Sequence, residues 1–176
     1  MSPILVVIFL AAAAARIASV LVSRRHEKKL RAEGATEHGT LNTKLLALAH
    51  MAFYFTAFAE GWVRGAEFDS VSMIGLVIFA AAMLMLAWIV RLLGAVWTVK
   101  IMIAPNHPVS RHVLFRTVRH PNYFLNILPE LVGYALIFHA YFTLAIGLPV
   151  YLVLLAVRIV QEERAMRDLF QAAARH

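Results

Sequence analysis

Arg119, His120, Pro121, Asn122 and Tyr123 form one run, a cation, an imidazole, a proline, an amide and a phenol, directly ahead of an apolar segment. Proline is favoured in the first turn of a helix, where its missing N–H costs no hydrogen bond. Pro121 is therefore predicted to begin a helix whose mouth carries the polar groups as a rim. Further along, Arg158 and Glu162 stand at i,i+4 on one helix face, with Glu163 beside them and Arg167 four beyond Glu163. Two readings of that second set stay open: one half of a composite site with the 119–123 run, or a pair of surface salt bridges on an interfacial helix.

A second polar layer lies deeper. Tyr123, Asn126 and Glu130, spaced i, i+3, i+7, form one stripe on the helix that Pro121 begins, loosened by Pro129. A carboxyl two turns into an apolar helix is costly and faces a cavity or a partner. Glu130 is thus either a general base or proton-sharing group, or a structural hydrogen-bond partner of His50 or Tyr54, which share a face at i,i+4 on an earlier apolar segment. No metal site is expected. His107, His112 and His120 have no carboxylate or thiol near them in their loop and lack the i,i+4 pairing common in zinc sites. There is no cysteine, phosphate-cradling glycine loop, nucleophile elbow or dinucleotide fingerprint.

The elements that must position these groups follow from composition. With 61% hydrophobic and 15% charged residues and a mean hydropathy of +0.73, the 176-residue chain is predicted to be an all-α integral membrane protein. Five transmembrane helices are expected, over about 3–23, 41–63, 71–93, 121–139 and 141–160. The first is read as a retained anchor, since Arg24, Arg25, Lys28 and Lys29 follow the apolar run, whereas a secretory signal carries its charge before it. Its one charge, Arg16, is expected to snorkel or face the bundle. Residues 24–41 are expected to continue as a helix ending near Gly34.

The charge of +7, from 17 Lys/Arg against 10 Asp/Glu, sits beside the apolar segments, so membrane orientation and anionic headgroups explain it and nucleic acid is not an expected partner. The stretch 94–121 has four Lys/Arg, Lys100, Arg111, Arg116 and Arg119 after Arg91, and no acidic residue. The loop charges agree on an outside N-terminus and a cytoplasmic C-terminus, as in a bacterial inner membrane. A minimal turn near Ala140 makes the last two helices an antiparallel C-terminal hairpin, which returns the tail to the face that carries 94–123. A single domain, 1–176, is expected: three N-terminal spans over 1–93, then a cytoplasmic loop, the hairpin and a cytoplasmic amphipathic tail over 94–176.

Taken together, His107 to Ser110, Phe115, Arg119 to Tyr123 and the Arg158…Glu162-Glu163 tail resemble the isoprenylcysteine carboxyl methyltransferase family and its phospholipid-methyltransferase relatives, small integral membrane enzymes. The resemblance covers roughly 88–170, and the first three spans match only as generic membrane helices. Its specificity lies in the combination: an Arg-His-Pro-x-Tyr pentapeptide downstream of Phe115 and His107, with Arg-x-x-x-Glu-Glu one hairpin later. Two positions depart from the family pattern. Val113-Leu114-Phe115 stands where Gly-x-Tyr is common, and Leu125 where a glycine is common. In this the chain is similar to a bacterial branch that O-methylates alkylpyrones and related polyketide lipids.

The resemblance implies S-adenosyl-L-methionine as cofactor, leaving as S-adenosyl-L-homocysteine. It implies cofactor contacts from Lys100, His107, Pro108, Val109, Ser110, Phe115, Arg119, His120, Pro121, Asn122, Tyr123 and Glu162, and a substrate-handling role for Arg158. These residue types suit the molecule: its carboxylate meets Arg119 or His120, its ammonium Glu162, its adenine an aromatic face. The expected reaction moves a methyl group to an oxygen, hydroxyl or carboxylate, of a lipophilic acceptor reaching the site from the bilayer, such as an alkylpyrone-like polyketide or a prenylated substrate. Arg158, Glu163 and Glu130 are the catalytic candidates, with Arg158, His50, Tyr54 and Asn126 as acceptor-binding residues. Two other readings stand beside it: a nicotinamide-dependent reductase of sterol-reductase-like architecture, and a non-catalytic membrane lipid-binding protein.

Overall fold

The computed structural model describes residues 1–104, 112–118 and 120–173, and within them the side chains of all but 115, 116 and 168–173. Helices α1 (Pro3–Ala32), α2 (Thr40–Val63) and α3 (Ser70–Leu93) are followed by a one-turn helix α4 (Val113–Thr117) and then by α5 (Leu128–Ile137) and α6 (Leu148–Ala173). Three stretches, Pro3–Ala32, Ser70–Val96 and Thr143–Arg167, are long and apolar enough to cross a membrane. α2 has the length, at 24 residues, but His50, Tyr54 and Glu60 interrupt its apolar run, while α5 is 10 residues behind a six-residue π-helical turn. Outward faces are apolar: Val7, Phe55, Val77, Leu84 and Val153 are all more than half exposed, as lipid-facing positions are.

The helices fall where the apolar segments predicted them, with three departures. The tail is no separate element, because α6 runs unbroken from Leu148 through Ala173. Two short strands, β1 (Thr36–His38) and β2 (Ile101–Ile103), pair antiparallel and join the two polar connections, an addition to the expected all-helical fold. Strands of three residues are too short for a period-2 signal. Finally, Asn122–Ile127 and Thr143–Gly147 are π-helical, and each of these turns ends two residues before a proline, Pro129 and Pro149. A proline lacks the N–H for the preceding turn and crowds the carbonyl four residues back, which widens that turn.

α3 and α5 run antiparallel with their backbones nearly touching. A Cβ on Gly133 would lie 2.7 Å from the Gly75 carbonyl oxygen and 2.7 Å from the Phe79 amide nitrogen, and one on Gly75 2.6 Å from the Gly133 carbonyl oxygen. Backbone atoms cannot yield as a flexible side chain would, so Gly133→Ala is expected to destabilise the protein by about 1–3 kcal/mol, the usual range for overpacking. Thermal unfolding in detergent measures this. The aromatic core beside this contact stacks Tyr54 on Tyr134 at 4.0 Å, with Phe138 4.8 Å from Tyr134.

The strand pair is fastened by charge. Lys100 Nζ lies 3.2 Å from Glu27 and 3.1 Å from Glu37, and Arg31 Nη2 is 2.6 Å from Glu37. Burial works to raise the Glu37 pKa, but the hydrogen bonds and charges of Lys100 and Arg31 outweigh it and hold the carboxylate below its ordinary value. A lowered carboxylate pKa stabilises the fold above the ordinary value and loses that contribution as pH falls through the lowered one. The thermal midpoint is therefore expected to fall on acidification below the ordinary 4.5, and less so in Glu37→Gln.

Candidate functional site

A cavity of about 560 Å³ lies between α1, α2, the start of the α5 helix and α6, within the roughly 300–1,000 Å³ usual for small-molecule sites. One end of it is polar. Arg158, 4% exposed, donates from Nε to the Tyr123 hydroxyl at 3.2 Å, from Nη1 to Thr43 Oγ1 at 2.6 Å and from Nη2 to the Val99 carbonyl at 2.7 Å. Burial this deep sets aside the reading of Arg158 as half of a surface salt bridge. The Tyr123 hydroxyl in turn donates to Glu162 Oε2 at 2.5 Å. His120 lies against the Tyr123 ring, centroids 5.7 Å apart, with Nε2 3.3 Å from Glu163 Oε1. The residues leading into α5 and the later part of α6 thus meet through three side-chain pairs, Tyr123 with Arg158, Tyr123 with Glu162 and His120 with Glu163, as the hairpin topology predicts.

The deeper layer surrounds Glu130, which is fully buried. Arg16 from α1 ion-pairs with it, the Tyr54 hydroxyl donates to Oε1, and His50 Nε2 lies 3.4 Å from Oε1. The structural hydrogen bond foreseen for Glu130 is therefore present with Tyr54, while His50 lies beside the carboxylate without a hydrogen bond to it, and Arg16 faces the bundle. Arg16 and His50 line the cavity while Glu130 stands behind them. Asn126 is 1% exposed on the cavity wall, its Nδ2 donating to Asn122 Oδ1 at 3.1 Å. The opposite wall is apolar, with Ile17 and Leu21 of α1 and Met51 of α2 each at least half exposed outside the protein as well, so the cavity continues toward the surface between these two helices.

Of the expected cofactor contacts, His107, Pro108, Val109, Ser110 and Arg119 lie outside the described residues, as does the Phe115 side chain. Asn122 and Tyr123 line the polar end, His120 and Glu162 contact Tyr123, and Pro121 is buried at the start of its helix. Lys100 is turned to Glu27 and Glu37, and burial, which favours its neutral form, is outweighed by those carboxylates so that its pKa is raised. No cluster of three or more metal-ligating side chains occurs among the described residues. Thr43 and Val99, which grip Arg158, escaped the sequence reading because a lone threonine and a backbone carbonyl carry no pattern. Arg16 had a usable signal: a charge in one apolar helix calls for the opposite charge in another.

The chemistry of this donor set fits S-adenosylmethionine: Glu162 is a partly exposed carboxylate for an ammonium, and His120, Asn122 and Tyr123 provide donors, acceptors and a ring face beside it. Residues 73–168 match the profile of the Isoprenylcysteine carboxyl methyltransferase (ICMT) family, more than half of the chain. An uncharacterized protein of Haemophilus influenzae is 51% identical over 157 residues, 89% of this chain and 91% of that one. The uncharacterized protein YpbQ of Bacillus subtilis is 28% identical over 153 residues, 87% of this chain and 90% of its own. No solved structure matches the chain at a significant level.

Proposed function

Since this chain belongs to the isoprenylcysteine carboxyl methyltransferase family, we propose that it is a membrane methyltransferase that uses S-adenosylmethionine to methylate an oxygen of a lipophilic acceptor. The observation that carries this reading is a cavity that joins a polar end, Asn122, Tyr123 and Arg158, to an apolar wall between α1 and α2. A water-soluble methyl donor approaches the polar end and a lipid acceptor slides in from the bilayer, so the two meet where water is excluded. The cofactor supplies an electrophilic methyl group on a sulfonium. Methyl transfer depends chiefly on holding nucleophile and methyl carbon in line, which supplies on the order of 7–11 kcal/mol when both are pre-positioned.

In this reading Glu162 binds the cofactor's ammonium, with His120, Pro121, Asn122, Tyr123 and the loop residues Lys100, His107 to Ser110, Phe115 and Arg119 completing its site. Arg158 orients the acceptor oxygen. A carboxylate acceptor needs no base, whereas a hydroxyl acceptor gives up a proton, for which Glu163 and Glu130 are the candidate carboxylates. All five helical stretches cross the membrane, with the N-terminus outside and the C-terminus in the cytoplasm of a bacterial inner membrane. Mass spectrometry of lipid extracts incubated with the enzyme and methyl-labelled cofactor tests the reaction. One lipid species heavier by the labelled methyl is the expected result. Hydride transfer from labelled nicotinamide, or co-purifying lipid without any binding of S-adenosyl compounds, would replace this reading by the reductase or the lipid-binding one.

A further inference from the structure

Arg158 is a buried cation held only by neutral groups. It is 4% exposed, its hydrogen bonds go to a phenol, a threonine hydroxyl and a backbone carbonyl, and among the described residues no carboxylate lies within ion-pair distance of it. Its contacts reach Glu162 only through the Tyr123 hydroxyl. A buried charge without a counter-charge is costly. A guanidinium has five N–H donors, so Arg158 keeps one free on each terminal nitrogen. Arg24 lines the same cavity, is exposed and makes no ion pair or hydrogen bond among the described residues. The two arginines meet the chain on either side of residue 99. The Val99 amide donates to Ser23 Oγ, next to Arg24, at 2.9 Å, and the Val99 carbonyl accepts from Arg158 at 2.7 Å. Trp97, 4% exposed on the same wall, adds an indole N–H with no partner among the described residues. The third guanidinium of the lining, Arg16, stands about 12 Å along α1 from Arg24 and is already paired with Glu130. No carboxylate occurs in the described lining, so the Arg24–Arg158 end is a cationic pocket that calls for an anion.

What surrounds the pocket narrows the anion. Its apolar wall continues to the surface between α1 and α2 past Ile17, Leu21 and Met51, which is a path for an acyl chain from the bilayer. Arg24 marks the level at which α1 leaves its apolar run, since Arg25, Lys28 and Lys29 follow it and are all exposed. The phosphate of a phospholipid sits at that level with its chains directed along such a wall, and its non-bridging oxygens can meet two guanidiniums at once. The exposed Arg25, Lys28 and Lys29 repel the ammonium of a zwitterionic head group and favour one that carries no cation. We propose that the Arg24–Arg158 end of the cavity binds the phosphate of an anionic phospholipid, such as phosphatidylglycerol, with an acyl chain between α1 and α2. The lipid is a resident ligand and not the methyl acceptor, and the assignment needs no methyl transfer. Where the methyltransferase reading holds, the acceptor shares this entry and displaces the lipid, so anionic lipid lowers the acceptor's apparent affinity.

Fluorescence of Trp97 tests this in the full-length protein. Trp62→Phe and Trp88→Phe leave Trp97, on the cavity wall, as the one tryptophan, and bromine on an acyl chain quenches an indole that it touches. The protein is placed in phosphatidylcholine nanodiscs at about 0.3 M salt, which screens charges that only face the head groups. A rising fraction of chain-brominated phosphatidylglycerol, or of chain-brominated phosphatidylcholine, is then included. Half-quenching is expected at a phosphatidylglycerol fraction about tenfold below that needed for phosphatidylcholine. Arg24→Gln is expected to raise that fraction about tenfold, while Arg25→Gln, which removes an equal charge outside the cavity lining, shifts it less than about twofold. Equal quenching by the two lipids, or an equal shift in Arg24→Gln and Arg25→Gln, overturns the site in favour of bulk lipid or of a general attraction to the basic face. Recovery of Trp97 fluorescence on adding millimolar inorganic phosphate or glycerol phosphate overturns the lipid and leaves a free phosphate as the ligand. Calorimetric titration of S-adenosylhomocysteine tests the methyltransferase reading separately, since no step of the lipid assignment passes through the cofactor.

Discussion

Glu162→Ala is expected to weaken S-adenosylmethionine binding by about 30-fold to several-thousandfold while the protein stays folded. Glu162 stands behind Tyr123 of the cavity's polar end, and the Tyr123 hydroxyl already donates to it at 2.5 Å. An ammonium bound there makes a charge-assisted contact away from bulk water, and losing one partner of such a contact costs about 2–5 kcal/mol, with each 1.4 kcal/mol a factor of about ten. The substitution also leaves the phenol of Tyr123 without its acceptor, so part of the loss comes from a loosened Tyr123. Tyr123→Phe separates the two: it removes the phenol and keeps the carboxylate, and is expected to lose far less. His120→Ala, which removes the imidazole stacked on Tyr123, should weaken binding as well. Calorimetric titration of the purified variants reads the affinities, with thermal unfolding as the check on folding. Wild-type affinity in both Glu162→Ala and His120→Ala would falsify the cofactor assignment.

Glu130→Ala should destabilise the protein by about 3–5 kcal/mol, since it leaves the Arg16 guanidinium in the bundle without its carboxylate. Glu130 is fully buried and accepts from Arg16 and Tyr54 together, so its removal strands two donors at once. The companion double variant, Arg16→Met with Glu130→Leu, removes both charges and fills similar volume. It is expected to recover most of the lost stability, because a buried ion pair replaced whole by apolar groups is often neutral. Unfolding in a denaturing detergent series measures all three proteins. A double variant as unstable as Glu130→Ala alone would show that the loss is one of packing rather than of an uncompensated charge. In the double variant the imidazole of His50 loses its carboxylate neighbour, so restored stability with slow methyl transfer separates the structural duty of Glu130 from its chemical one.

Much of the fold was legible because membrane helices announce themselves by length and hydropathy. α2 begins and ends within a residue of the apolar segment that predicts it, and α3 begins one residue before its segment and ends with it. The distortion at Pro129 was legible too, since the missing N–H is a property of the residue itself. The β1–β2 pair was not. Three residues paired with three others some sixty positions away leave no local period, and what holds them is Lys100 between Glu27 and Glu37, a contact set by the third dimension. The backbone contact of Gly75 with Gly133 was hidden for the same reason: glycines in apolar helices are common, and only their meeting makes them indispensable.

The site divides along the same line. Its residue types were set by the sequence: the run from Arg119 to Tyr123, the acidic pair Glu162-Glu163, and a carboxyl two turns into an apolar helix each violate the hydropathy of their surroundings, and such violations are visible in one dimension because they are costly unless used. Which of them meet was decided by the tertiary structure. Arg158 faces Tyr123, Thr43 and Val99. Glu130 is paired with Arg16 from a helix more than a hundred residues away, and His50 rather than Glu130 faces the cavity. Partners of this kind depend on helix rotation and crossing, which are fixed by close packing against other helices and not by the order of residues within any one of them.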